Sequence, residues 1–86
     1  MANAKFLAKT ELKIKREAFC SQQEMASLIN AESGGNYGRT FYGNIETGIR
    51  PVSSDMALII ARILKSDVAE LFTSNDAKEE GEQVNG

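Results

Sequence analysis

The 86-residue sequence contains no histidine and a single cysteine, which removes whole classes of functional site. Without histidine, the chain lacks the usual general base and the commonest metal ligand. Cys20 alone can form neither an internal disulfide nor a multi-thiolate metal site, and its position at the end of a predicted helix favours a small packed side chain. No glycine-rich phosphate loop or cluster of inward carboxylates replaces these groups. We therefore expect no catalytic residue, no metal, no cofactor and no enzyme activity.

Long apolar runs are also missing. No run approaches the roughly 20 residues that a membrane-spanning helix needs, and the segment that begins at Met1 has no apolar stretch of signal-peptide length. The sequence therefore predicts a cytoplasmic protein with no membrane partner. A chain of this length forms one domain with a modest core, and such a domain gains stability from dimerising.

The charge is unevenly distributed along the chain. Residues 73–86 carry one lysine and four acidic side chains, a net charge of −3, whereas residues 1–72 carry nine basic and eight acidic side chains, a net charge of +1. The acidic segment has almost no large apolar groups, which is typical of disorder. We predict a folded domain over residues 1–72 and a disordered acidic tail over residues 73–86. Overall charge neither supports nor excludes a nucleic-acid partner, so the local placement of charge must decide.

The folded region shows no sustained period-two alternation, which predicts an all-α fold, a compact bundle of about five short helices. The first helix begins at Thr10, or as early as Asn3 with Phe6 and Leu7 on its apolar face, and ends near Phe19. Its basic stripe either lies on a solvated face or faces phosphates, and consists of Lys5, Lys9, Lys13 and Arg16.

Turn and capping residues delimit the middle of the chain. Ser21 and Glu24 form a capping-box pattern that begins the second helix. A glycine-rich loop is expected over residues 31–38. The third helix is expected over residues 39–47, with Gly48 at the position after its end.

Two further helices follow. Ser53 or Ser54 caps the fourth, which runs to about Lys65, and residues 67–70 form a second capping box that opens the fifth. The fifth helix has three apolar residues that form either a dimer surface or part of the monomer core: Val68, Leu71 and Phe72.

Three segments in this order resemble the Cro and phage-repressor helix-turn-helix family, also called the xenobiotic-response-element (XRE) family. They are residues 21–26 (SQQEMA), residues 45–51 (IETGIRP) and residues 60–72 (IARILKSDVAELF). The resemblance covers about residues 12–72 and implies a lambda-repressor-like domain. In that family the third helix enters the major groove of DNA, and the second lies across the backbone.

Carried over by position, the resemblance implies a set of DNA-binding residues: Gln22, Gly38, Arg39, Thr40, Gly43 and Asn44. Arginine can grip guanine with two hydrogen bonds, asparagine can do the same with adenine, and threonine offers a hydroxyl and a methyl group. Gln22 resembles the family residue that binds a backbone phosphate. Plain solvent exposure is the alternative for Arg39 and Asn44. Phe41 either packs or touches thymine methyl groups.

Other residues have expected structural roles. Ala26 is small enough for two helices to cross closely, and Asn30 tolerates a left-handed turn. Tyr42 and Ile45 lie one helical turn apart and should lock the third helix onto the second. Glu46 resembles the family glutamate that pairs with a basic residue of the first helix, here Arg16, with Lys15 as the alternative.

The segment between the second and third helices departs from the family pattern, because it is about six residues longer than usual. We expect the loop over residues 33–38 to be mobile in the free protein. It either makes contacts of its own, through Arg39 or Tyr37, or becomes ordered only on DNA. Gly38 and Gly43 would each weaken the third helix by roughly 1 kcal/mol if they lie within it.

These features predict a homodimeric, sequence-specific transcription regulator, which we expect to act as a repressor and to bind double-stranded DNA with half-sites about one helical turn apart. The alternative is a protein-interaction module, for example an antitoxin whose acidic tail binds a protein partner.

Overall fold

Five helices and three short strands make up the structure, a computed structural model that describes residues 5–74. The helices are α1 (Thr10–Glu17), α2 (Gln22–Ser33), α3 (Arg39–Glu46), α4 (Ser54–Ile63) and α5 (Val68–Leu71). The strands are β1 (Lys5–Ala8), β2 (Val52–Ser53) and β3 (Phe72–Ser74). The prediction of five short helices is confirmed. The prediction of a purely α-helical fold is wrong, because the strands form a small sheet.

The sheet is antiparallel, with β1 between β2 and β3. Phe6 pairs with Val52 on one side and with Ser74 on the other. The longer version of the first helix, beginning at Asn3, is therefore wrong: Phe6 and Leu7 lie in a strand, and α1 begins at Thr10. A four-residue strand is too short to show a period-two pattern, and its partners are distant in the sequence, so nothing local indicated it.

The last helix is shorter than expected. Phe72 begins β3 instead of continuing α5. Regular structure extends to Ser74, two residues beyond the predicted domain boundary at residue 72. The rest of the predicted disordered tail lies outside the described residues.

The predicted caps hold the helix ends in place. The Glu24 backbone N–H donates to Ser21 Oγ at 3.1 Å, and the Ser21 N–H donates to the Glu24 carboxylate at 2.8 Å. Ser53, not Ser54, caps α4 by accepting a hydrogen bond from the Met56 N–H. The Asp67 N–H donates to the Glu70 carboxylate at 3.1 Å.

The connection between α2 and α3 differs from the predicted loop, because α2 continues to Ser33 and leaves only residues 34–38 outside regular structure. Gly34 ends α2 with φ of +77°, a left-handed conformation that costs glycine little. Asn30 was expected to take that conformation but lies inside the helix. Gly48 takes the same conformation after α3, as predicted, with φ of +82°.

The hydrophobic core lies between the helices and one side of the sheet. Its fully or nearly fully buried members are Leu12, Met25, Ala26, Ile29, Tyr42, Ile45, Val52, Ala57, Ile60, Ala61, Leu71 and Phe72. Leu71 and Phe72 are thus buried within the monomer, and the dimer surface suggested for them is not available. Among the described residues, no helix is long and apolar enough to cross a membrane.

Candidate nucleic-acid interface

Helix α3 has a buried side and an open side. Tyr42, Ile45 and Glu46 are buried, and the predicted roles of Tyr42 and Ile45 in the core are confirmed. Arg39 and Thr40 are exposed, and Asn44 is half-buried. The buried side fixes the helix to the core, so the open side is presented to solvent in a defined orientation.

A buried ion pair joins α3 to α1. Arg16 Nε donates to Glu46 Oε1 and Arg16 Nη2 donates to Glu46 Oε2, both at 2.8 Å. Only 8% of the Arg16 side chain and 2% of the Glu46 side chain are exposed. Arg16 Nη1 also donates to the Cys20 carbonyl at 3.0 Å, which ties the end of α1 into the same network. The predicted partner of Glu46 is therefore confirmed as Arg16, and Lys15 is not used.

The ion pair sets the electrostatics beneath α3. Burial alone would raise the pKa of Glu46, but the hydrogen bonds from Arg16 and Gln22 outweigh it and hold that pKa below its ordinary value. Burial is also the main reason that the pKa of Tyr42 is raised, and the nearby Glu46 carboxylate adds to the effect. The Tyr42 hydroxyl is buried and has no hydrogen-bond partner among the described residues. The phenol therefore stays neutral.

Gln22 links the start of α2 to α3. Its Nε2 donates to Glu46 Oε2 at 3.3 Å, and its side chain passes Gly43, where an added Cβ would lie 3.6 Å from Gln22 Oε1. Gln22 is half-buried, so it reaches the surface at the junction of the two helices. This places a side-chain amide and the start of α2 beside the open side of α3.

The open side of α3 borders a surface depression of about 310 Å³. Its lining residues are Gln22, Arg39, Thr40, Gly43, Asn44, Thr47 and Ile49. Five of the six residues predicted to bind DNA are therefore neighbours. The sixth, Gly38, is the N-cap of α3, with φ of −108°, and does not line this depression. Of the two glycines expected to weaken the third helix, only Gly43 lies within it.

Thr47 and Ile49 were not among the predicted site residues. Ile49 is 73% exposed and lies beside Asn44 and Thr47 in the depression. It therefore adds one exposed apolar side chain to a lining made up mainly of polar residues. Its place beside α3 has a partial local signal, because Ile49 follows Gly48, which ends the helix and turns the chain.

A second depression of about 650 Å³ adjoins the first and shares Gln22, Arg39 and Thr47 with it. Its charged lining residues are Lys9, Lys13, Arg16, Glu17, Arg39 and Glu46. Arg16 and Glu46 neutralise each other, which leaves three basic side chains against one acidic. Part of the predicted basic stripe therefore lies beside α3. The four basic residues do not form a stripe along one helix, because Lys5 lies in β1 and Lys9 is the N-cap of α1.

The segment between α2 and α3 is held by specific contacts. Asn30 bridges it twice: Asn30 Nδ2 donates to the Tyr37 carbonyl at 2.9 Å, and the Tyr37 N–H donates to Asn30 Oδ1 at 2.7 Å. The Tyr37 ring stacks on Phe41, with ring centroids 4.2 Å apart. The guanidinium carbon of Arg50 lies over the Phe41 ring, 4.9 Å from its centroid. Phe41 thus packs in the monomer. These contacts oppose the mobility expected for the segment.

Comparison of the chain with models of known protein families, with curated proteins and with solved structures found no match.

Proposed function

We propose that this protein is a sequence-specific regulator of transcription that binds double-stranded DNA through α3 and acts as a repressor. The observation that carries the proposal is the common depression formed by Gln22, Arg39, Thr40, Gly43 and Asn44. Side chains able to read bases and to bind phosphates lie together there, on a helix whose other side is fixed to the core.

The size of α3 is compatible with the major groove. Eight residues form a helix about 12 Å long, with a diameter of about 10–12 Å including side chains. The major groove of B-DNA is about 12 Å wide. The helix can therefore enter the groove with its open side toward the bases, while Tyr42 and Ile45 remain in the core.

The exposed chemistry suits base recognition. Arg39 can donate two hydrogen bonds to guanine, and Asn44 can both donate to and accept from adenine. Thr40 offers a hydroxyl and a methyl group, and Ile49 offers an apolar surface for a thymine methyl group. Gly43 leaves room for the DNA to approach the helix backbone.

The surroundings of α3 suit phosphate binding. Gln22 and the first N–H groups of α2 lie beside the depression, and a helix N-terminus attracts anions. Lys9 and Lys13 border the adjoining depression, so positive charge lies next to the base-reading side. Such contacts fix the position of a protein on DNA without reading its sequence.

The likeness to the Cro and phage-repressor family supports the same reading, including a lambda-repressor-like arrangement of α2 and α3. A regulator of this kind would work in the cytoplasm, with the DNA that it reads. The three-stranded sheet and the segment over residues 34–38 are features of this chain that the sequence resemblance did not include.

The decisive experiment is selection of bound duplexes from a random DNA library with the full chain, followed by affinity measurements at two salt concentrations. We expect an enriched inverted repeat and an affinity that falls as salt rises, because phosphate contacts release counterions. Failure to enrich any sequence would overturn the proposal and favour a protein-interaction module, whose partner would then be sought through the acidic tail.

A further inference from the structure

An apolar surface lies away from the candidate DNA interface, where the ends of α1 and α4 approach the first half of α2. We call it the Phe19 patch, and it consists of Ala18, Phe19, Cys20, Leu28, Ile63 and Leu64. Phe19 is 57% exposed and Leu28 is 37% exposed. None of these residues lines the two depressions around α3. A cluster of exposed apolar side chains on a small domain marks an interaction site.

Phe19 separates two grooves of opposite charge, each of about 320 Å³. The first groove contains Ala18, Ile63 and Leu64, and its charged residues are Lys15 and Lys65. The second contains Cys20 and Leu28, and its charged residue is Glu24. The patch is therefore basic on one side of Phe19 and acidic on the other.

Lys65 has an unusual backbone conformation. Its φ is +54°, and it is the one non-glycine residue with positive φ among residues 5–74. The Lys65 N–H donates to the Arg62 carbonyl, and the Ser66 N–H donates to the Ala61 carbonyl. This pattern ends α4 in the way that normally favours glycine. A lysine here costs stability, and it adds a positive charge to the groove beside Phe19.

We propose that two copies of this chain pair through the Phe19 patch, around a two-fold axis that passes near Phe19. In such a pairing the same surface is used twice. Each basic groove faces the partner's acidic groove, so Lys15 and Lys65 lie opposite Glu24 of the other copy. The Phe19 rings bury each other's exposed surface at the centre.

This pairing deepens the proposed function, because it names the surface through which a dimeric regulator assembles. It differs from pairing through the fifth helix, whose Leu71 and Phe72 are buried in the monomer. It also leaves Arg39 and Asn44 uncovered. Self-association can be measured without DNA, so failure of the pairing and failure of DNA recognition are separate results.

The first test is sedimentation velocity on the full chain across a concentration series, without DNA. We expect a monomer–dimer equilibrium that Phe19→Ser weakens at least tenfold. Leu58→Ser is the matched control, because Leu58 is 47% exposed on α4 but lies outside the patch. A wild-type protein that stays monomeric at all concentrations would overturn the proposal, as would equal effects of the two substitutions.

The second test changes the charged residues of the two grooves, Lys65 and Glu24. Lys65→Gly removes the left-handed lysine, so it should raise the melting temperature of the monomer and yet weaken the dimer. A weaker dimer formed by a more stable monomer cannot be explained by loss of folding. Lys65→Glu should weaken the dimer further, and adding Glu24→Lys to the same chain should restore it, because the two-fold axis pairs the reversed charges. Absence of restoration, in variants that still melt cooperatively, would contradict the pairing.

Discussion

At the scale of single residues, the ion pair between Arg16 and Glu46 is the main polar link beneath α3. Its two hydrogen bonds are short, and both side chains are almost fully buried. A buried pair of this kind adds little net stability compared with an apolar pair of the same shape, but removing one partner leaves an uncompensated charge.

We therefore expect Glu46→Leu to lower the free energy of unfolding by about 3–5 kcal/mol. The double variant Arg16→Met with Glu46→Leu should recover most of that loss, because no charge is then left unpaired. Urea denaturation of the wild type, both single variants and the double variant measures this. A double variant as unstable as the sum of the single variants would show that the two residues do not act as a pair.

The lowered pKa of Glu46 gives the same pair a pH signature. A carboxyl whose pKa is lower in the folded state than in the unfolded state stabilises the fold above the unfolded pKa, and this contribution is lost as the pH falls through the folded pKa. In the Glu46→Gln variant that acid-dependent loss should be smaller than in the wild type. Denaturation curves at neutral pH and in the acid range provide the check.

The Tyr42 hydroxyl, unlike the Arg16–Glu46 pair, is buried without a hydrogen-bond partner among residues 5–74. An unsatisfied buried hydroxyl costs about 1–3 kcal/mol. We expect Tyr42→Phe to keep the packing and raise the free energy of unfolding by about 1 kcal/mol. A clear loss of stability would mean that the hydroxyl has a partner, such as the neighbouring Glu46 carboxylate.

Arg39 and Gln22 test the proposed division between base and phosphate contacts. Arg39→Ala should weaken binding to the selected operator by about 1–3 kcal/mol and relax the preference at one base position. Gln22→Ala should weaken binding to all sequences similarly, because a phosphate contact does not read the bases. Repeating the library selection with both variants distinguishes them. An unchanged base preference in Arg39→Ala would show that Arg39 does not contact a base.

At the scale of elements, α3 is firmly packed against the core but contains a residue of low helix propensity. Gly43 lies within it and borders the depression, where an added Cβ would lie 3.6 Å from Gln22 Oε1. Helix propensity alone would favour alanine there by about 1 kcal/mol. Under the proposed function, this glycine lowers helix stability but lets DNA approach the helix backbone closely.

Gly43→Ala should raise the melting temperature by roughly 4–8 °C, the usual effect of 1 kcal/mol on a domain of this size. The added methyl group fits, because its nearest contact is an ordinary 3.6 Å to Gln22. Operator affinity should fall at the same time. Gly38→Ala is the control: at an N-cap alanine is worse than glycine, so it should bring no gain in stability.

How far the sequence predicts these elements depends on how local their signals are. The caps at Ser21 and Gly48, and the helix between Ser53 and Ile63, follow from residues within a turn or two of each other. The predicted loop begins at Ala31, after an asparagine that tolerates a left-handed turn, but α2 continues to Ser33. Instead the Asn30 side chain holds Tyr37 across the connection, a contact with no local signature.

The candidate site was only partly predictable for the same reason. The family resemblance, carried over by position, grouped Arg39, Thr40, Gly43 and Asn44 with Gln22. Ile49 joins them only because the chain turns after Gly48, and Lys9 joins because the sheet positions the start of α1. Both depend on contacts between distant parts of the chain.

At the scale of the whole molecule, the proposed DNA-binding site and the proposed pairing site are different surfaces. The depressions around α3 collect basic and polar side chains, and the Phe19 patch collects apolar ones. The 70 described residues therefore present the two proposed sites on separate faces, with the Arg16–Glu46 pair buried between α1 and α3.

The sheet also determines when the protein can finish folding during its synthesis. β1 is the central strand, and it pairs with β2 and with β3, which lies at the far end of the described chain. At about 5–20 residues per second, a ribosome needs several seconds to make β3 after β1. Phe6 and Leu7 lack their β3 partners during that time, so the sheet can close only after most of the described chain has been made.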